Sequence, residues 1–353
     1  MLGRGGTGRL ARLAPSGLDL IPIFIDGGKD TASLAGNSGR QLERVTGANH
    51  APRPCHWHAH IIEIVESGFL RADMSYSAGA SLEGDEASGY WSPHTSSIDF
   101  CEPNYAHSSH IVELHNVWSS IVGLSLVGFF GLKYGNPTNE WRYTLVYLIL
   151  ILIGIGSACL HGTLHWIFPS ADELPMIYIV IGLFYAVVEC ETPKGQQRYP
   201  WLPAALVGLA VLNTAIYYTF QHLYLVFIAT YSVMTIGTTI GLVRLLFFRD
   251  GRRLEAKKLF WLGEMWYSLI GIPVWALDML LCHHVRFVAD LLPGWLGGMT
   301  PHIIWHCAAG MGAYFLTLSC CCCRAETLGV QYELRLVFGI VPVILVDVKT
   351  KEN

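Results

Sequence analysis

Charge is scarce in this chain. Of its 353 residues only 14% are Asp, Glu, Lys or Arg, against about a quarter in ordinary soluble domains, and that deficit argues against a conventional water-soluble enzyme. The net charge of −4 is small and unclustered, so nucleic acid is not expected as a partner. The ten cysteines lack the spacing of a secreted disulfide framework, and no CxxC pair has the partner that a zinc ribbon needs. Neither disulfides nor a cysteine zinc site is therefore expected. The early apolar run Leu18 to Ile25 is short and broken by Asp19 and Pro22, which does not make a signal peptide.

What the chain has instead is apolar length. Hydrophobic residues make up 52% of it and the mean hydropathy is +0.40. Residues 1–88 are rich in Gly, Ser, Ala and charge without apolar periodicity, and disorder is expected there. Cys55-His56-Trp57-His58-Ala59-His60 puts histidines at alternate positions, but lacks a second ligand group and reads as an incidental surface cluster. From Gly89 onward, apolar segments follow at about 108–131, 142–165, 174–190, 200–220, 222–247, 260–281 and 302–323. Each is near the roughly 20 residues that cross a bilayer as helix. The expected fold is all-α: a seven-transmembrane helical bundle over 89–325, with six spans as the competing count, preceded by a disordered extension 1–88 and followed by a cytoplasmic tail 326–353.

Arg244, Arg249, Arg252, Arg253, Lys257 and Lys258 crowd the loop after the fifth segment, which places that loop in the cytoplasm. Its basic, apolar-interleaved stretch 249–260 is expected to lie along anionic lipid. Seven spans then put the amino terminus in the lumen and the carboxyl terminus in the cytoplasm. Cys320 to Cys323 fall at the cytoplasmic end of the last segment, where an unmodified helix end is expected over palmitoylation.

Ionisable groups are costly inside a bilayer and mark function there. Ser157 and His161 are one helical turn apart near the end of the second segment. His302 and His306 are one turn apart at the start of the seventh, and Asp172 opens the third. With seven spans all five fall at one membrane face; six would separate them. Three histidines and an open position suit a catalytic zinc, which lowers the pKa of a bound water to about 7. His302-Ile303-Ile304-Trp305-His306 lacks the glutamate of an HExxH helix, so the general base must come from elsewhere. Asp172 is the best placed, with a helix N-cap as its alternative role. Ser157 can donate to an oxyanion or bond back into its own helix. His165 competes with His161 as ligand, and His283 and His284 read as interfacial. Asp99, Glu102, Asn104 and Glu113 offer the hard oxygen ligands of calcium without an EF-hand pattern.

Several of these residues fall within longer matching strings: Gly89-Tyr90-Trp91, Asp99-Phe100-Cys101-Glu102-Pro103-Asn104-Tyr105, Gly156-Ser157 through His161-Gly162-Thr163-Leu164, Asp172-Glu173-Leu174-Pro175-Met176, and His302-x-x-x-His306 with Gly310-Met311-Gly312-Ala313-Tyr314. Over about 89–325 the chain resembles the alkaline ceramidases, seven-span enzymes of the superfamily that also holds the adiponectin receptors. The resemblance implies a zinc held by His161, His302 and His306, with Ser157 and Asp172 in the catalytic shell. It also implies a calcium near Asp99, Phe100, Glu102, Asn104 and Glu113. Phe100 stands where the family usually has Trp, a change that a main-chain carbonyl ligand tolerates, and Pro103 replaces a residue commonly acidic. Residues 1–88 have no counterpart. The implied substrate is ceramide or phytoceramide in the bilayer of the endoplasmic reticulum or Golgi; no protein partner is deducible. A seven-span lipid-sensing receptor with a structural zinc is the alternative, and a proton-relaying transporter, which lacks support from internal repeats, a third.

Overall fold

The computed structural model describes residues 88–220, 223–337 and 341–346. All but the last residue of the expected disordered stretch 1–88, and the Cys55–His60 cluster within it, lie outside that range. The described chain is mostly helical. Six helices are long and apolar enough to cross a membrane: α1 Leu114–Tyr134, α2 Trp141–Thr163, α3 Phe168–Val188, α4 Leu202–Thr219, α5 Tyr224–Phe247 and α8 His302–Thr327. Between the last two, α6 Leu254–Leu280 and α7 Cys282–Asp290 form a pair bent by 93°, a seventh candidate if they count as one span. The chain is thus built as a multi-pass membrane protein.

Two expectations are corrected here. The basic stretch after α5 does not form a separate surface-lying helix: α6 starts at Leu254 and continues through it. The third span starts at Phe168, so Asp172 lies inside α3 rather than capping it, and Pro175 sits in the helix interior. Proline is costly there because it returns no N–H to the carbonyl four residues earlier. That carbonyl, on Ala171, faces α2, where a Cβ at Gly156 would come within 2.0 Å of its oxygen.

Glycine also sets the crossing of α1 and α8. A Cβ at Gly310 would lie 1.8 Å from the Gly123 oxygen, and one at Gly123 would lie 2.8 Å from the Cys307 main-chain nitrogen. The backbones therefore touch, as small residues allow between membrane helices. One turn before Gly123, Ser119 and Ser120 are thereby brought beside His306.

The helical bundle carries one small addition. Gly329, in the left-handed conformation at φ +69°, closes the end of α8. An antiparallel hairpin follows, β1 Tyr332–Val337 with β2 Val341–Val346, in a register pairing Tyr332 with Val346 and Val337 with Val341. It packs back on the bundle, where Tyr314 Oη donates to the Pro342 carbonyl at 2.6 Å. Cys320 to Cys323 are all fully buried in the main core. Beside them Arg324 reaches Glu140 at 2.7 Å and the carbonyls of Cys190 and Thr192, tying the end of α8 to two loops.

Candidate metal centre

The last carbonyls of any helix lack partners within it, and α2 meets this need in a way that builds the site. The extended chain before α1 lies along its end, with the Val112 and Glu113 N–H groups donating to the carbonyls of Gly162 (3.2 Å) and His161 (2.9 Å). Leu164 closes α2 in the left-handed conformation, and its own carbonyl accepts from Thr95 and Ser96. This docking carries the Glu113 carboxylate to His161 Nδ1, which it holds in a very short contact.

His161, His302 and His306 gather at the centre, each buried, with ligating atoms all within 4.8 Å of one another. Their rings stand 4.6 to 5.2 Å apart. His161 Nε2 has no hydrogen-bond partner although it is fully buried. His306 Nδ1 is taken by Ser119 Oγ at 2.7 Å, which leaves its Nε2 facing Ser157 Oγ at 3.3 Å. Three buried imidazoles converging, with the Nε2 of His161 left bare, are what a metal ion fits, and this group can bind one such as zinc. His165, the competing ligand, is exposed beside Trp166 and outside the cluster.

Ser157 accepts a 3.0 Å bond from Ser120 Oγ, and the Asp172 carboxylate is within hydrogen-bonding reach of it. Asp172 and His306 both line a cavity of about 840 Å³ including its mouth, whose walls are otherwise mostly apolar, among them Leu124, Leu150, Ile179 and Trp305.

Of the expected calcium residues, Phe100 donates its N–H to Glu113 Oε1 at 3.3 Å and packs its ring, tilted, against those of His161 and His302. Both Glu102 oxygens accept from the start of α1, from the His115 N–H at 2.7 Å and the Asn116 N–H at 2.8 Å. Asn104 lies beside His94 with its Oδ1 buried and unpartnered. Asp99 adds negative charge near Glu113. Burial raises the pKa of Glu113, and the neighbouring Asp99 raises it further. Burial, followed by Glu113, pushes Glu102 up to about 8. Among the described residues the histidines alone form a group of three or more His, Cys, Asp or Glu with ligating atoms so close together; these carboxylates do not.

The sequence reading missed three features. Ser119 and Ser120 were legible in principle, since Glu113, Asn116 and Ser119/Ser120 recur every three or four residues along an otherwise apolar helix. The second role of Glu113, holding a histidine, has no local signal. The disulfide Cys101–Cys282 joins cysteines 181 residues apart, contrary to the expectation of none, and spacing does not reveal such a pairing.

The closeness of Gly156 to Ala171 yields a first expected result. Gly156→Ala should push α3 away from α2, lowering stability by about 2 kcal/mol or more. Thermal unfolding checks this; a variant as stable as the unaltered protein contradicts the packing described.

Comparison with known proteins agrees with this architecture. The ceramidase family model matches residues 92–345. The chain is 28% identical over 277 residues to alkaline ceramidase 3 of Mus musculus, covering 74% of this chain and 97% of that protein. It is 31% identical over 270 residues to alkaline ceramidase YPC1 of Saccharomyces cerevisiae, covering 71% and 83%. With an alkaline ceramidase of Arabidopsis thaliana the identity is 24% over 269 residues, covering 74% and 97%. A match running from ahead of the first span into the last strand of the hairpin has one consequence: the chain belongs to the ceramidase family.

Proposed function

We propose that this chain hydrolyses ceramide or phytoceramide to a sphingoid base and a fatty acid, using a zinc ion held within the bundle. The observation that carries the reading is the bare, buried Nε2 of His161 converging with His302 and His306 beside an apolar cavity that Asp172 and His306 both line. A zinc ion held there by the three histidines supplies Lewis acidity, which acidifies water and polarises an amide carbonyl. The cavity binds the acyl and sphingoid chains and excludes bulk water from the amide. Asp172 takes the proton of the attacking water on a carboxylate oxygen and passes it to the amide nitrogen as the C–N bond breaks. Ser157 donates its hydroxyl hydrogen to the carbonyl oxygen as charge develops. An opening onto an apolar cavity favours turnover over the receptor alternative, whose zinc would need no access. Fatty-acid release from a panel of ceramides, abolished by a zinc chelator and restored by zinc, tests the reading; release indifferent to the chelator refutes zinc dependence.

The reading takes α6 with α7 as one span, the sixth of seven, and puts the metal centre at the lumenal face, with the amino terminus lumenal and the carboxyl terminus cytoplasmic, in the endoplasmic reticulum or Golgi. The basic loop after α5 supports this orientation. So does the disulfide Cys101–Cys282 beside the histidine end, because disulfides persist in oxidising compartments.

Calcium would brace the loop 99–104 against α1 through Asp99, Phe100, Glu102, Asn104 and Glu113. Its support is the mutual repulsion of Asp99, Glu102 and Glu113, which a divalent cation would relieve. Because the folded-state pKa of Glu102 is raised from 4.5 to about 8, the calcium-free fold holds a proton there that the unfolded chain releases. Calcium-free stability therefore falls as pH rises through that window, and the stabilisation given by calcium grows. The calcium-induced rise in Tm should be larger at pH 8.5 than at pH 6. An equal or smaller rise at the higher pH counts against a site that includes Glu102.

A further inference from the structure

The three histidines are not held alike. Glu113 fixes the Nδ1 of His161 and Ser119 that of His306, so in both the Nε2 is left for the ion. The Nδ1 of His302 faces neither a serine nor a carbonyl. Opposite it stands Asp278 Oδ2, 3.6 Å away, near the end of α6. Both side chains are buried, His302 to 2% exposure and Asp278 to 0%. The Asp278 carboxylate faces the Thr300 hydroxyl and the main-chain N–H groups of Cys101 and His302, but none of these contacts closes to a full hydrogen bond, and His302 Nδ1 also lacks a partner. A buried carboxylate so loosely satisfied is costly, and this one stands beside a candidate metal ligand.

Its backbone is fixed on two sides. Four residues on, Cys282 is bridged to Cys101, whose Sγ lies 2.9 Å from the Asp278 main-chain oxygen. Arg286, in α7, donates from Nε to the Cys101 carbonyl at 3.0 Å. The bend between α6 and α7 is thus fastened to the loop 99–102, and Asp278 is carried on it. Asp278 is absent from the cavity wall that Asp172 and His306 share, so it does not meet a lipid there.

We propose that Asp278 is a positioning residue for His302: its carboxylate accepts the Nδ1–H, fixes that tautomer and turns the Nε2 towards the ion, while the Cys101–Cys282 bridge holds Asp278 in place. The proposal rests on the metal-binding reading of the histidine group. The 3.6 Å separation is longer than a hydrogen bond, and a ring turned to ligate would close it. Carboxylate partners of this kind orient a ligating imidazole and raise its basicity, and their loss typically weakens metal binding 10–100-fold.

The test uses the full chain purified in detergent. Zinc affinity is measured by chelator competition and, separately, Tm is measured on the zinc-free protein. Asp278→Asn keeps the shape and removes the charge. Its zinc affinity is expected to fall 10–100-fold while the zinc-free Tm stays the same or rises, because a buried carboxylate charge has been removed and the amide oxygen can still accept from the groups that face it. A purely structural role predicts the opposite, a lower zinc-free Tm. Asp278→Glu retains a carboxylate and is expected to recover most of the lost affinity. Zinc affinity of the Asn variant within about twofold of the unaltered chain, an Asn variant that does not fold without zinc, or a Glu variant as weak as the Asn variant would each overturn the proposal. An unaltered protein that binds no zinc would overturn the metal reading beneath it.

Discussion

His302→Ala should abolish amide hydrolysis while leaving a folded, membrane-inserted protein. His302 begins α8 and His306 follows one turn later on the same face, so the alanine leaves only two imidazoles, His161 and His306, from two different helices. Two neutral nitrogens are fewer than the three protein ligands that catalytic zinc sites use, and the ion is expected to be lost from dilute protein. Its chemistry has two parts, acidifying water and stabilising the carbonyl oxygen in the transition state. The second alone is worth several kcal/mol, at about 1.4 kcal/mol per tenfold in rate. Turnover should therefore fall by at least about 10⁴-fold. Initial rates per folded chain, with zinc content on the same sample, check this. Turnover at the unaltered rate would remove the zinc assignment altogether.

Asp172→Asn should separate the proton from the metal. Asp172 is not one of the three gathered ligands, so zinc content should stay at the unaltered level. The amide can still accept from Ser157 but cannot take and return a proton. General acid–base catalysis is worth roughly 10²–10⁴-fold, and a fall of that size is expected. Zinc loss in the variant would show that the carboxylate acts on the site's architecture. Full zinc with turnover within about threefold would show that the base lies elsewhere.

Much of this was legible because membrane sequence is constrained in two ways at once. Apolar length marks the helices, and the rarity of ionisable groups inside them makes each one conspicuous, so His161, His302 and His306 stood out before their distances were known. A count of seven spans puts them at one face by parity. What escaped has physical causes. Pro175 reads as a helix start, but Pro169 holds that place in the first turn of α3, and the earlier start carries Asp172 inside the helix. Glu113 looks like an oxygen ligand because the sequence does not show that the end of α2 needs partners for its carbonyls. Val341-Pro342-Val343-Ile344-Leu345-Val346 is a short apolar run whose periodicity does not distinguish strand from tail; its partner strand decides it. The disulfide depends on tertiary approach alone.

The most direct measurement is ceramide turnover in water enriched in ¹⁸O by the purified chain holding its zinc. The account predicts free fatty acid carrying one ¹⁸O from solvent, with an equal amount of sphingoid base, both disappearing on zinc removal and returning with it. A folded, zinc-containing protein that releases neither product from any ceramide would contradict it and point to a receptor that binds lipid without cleaving it.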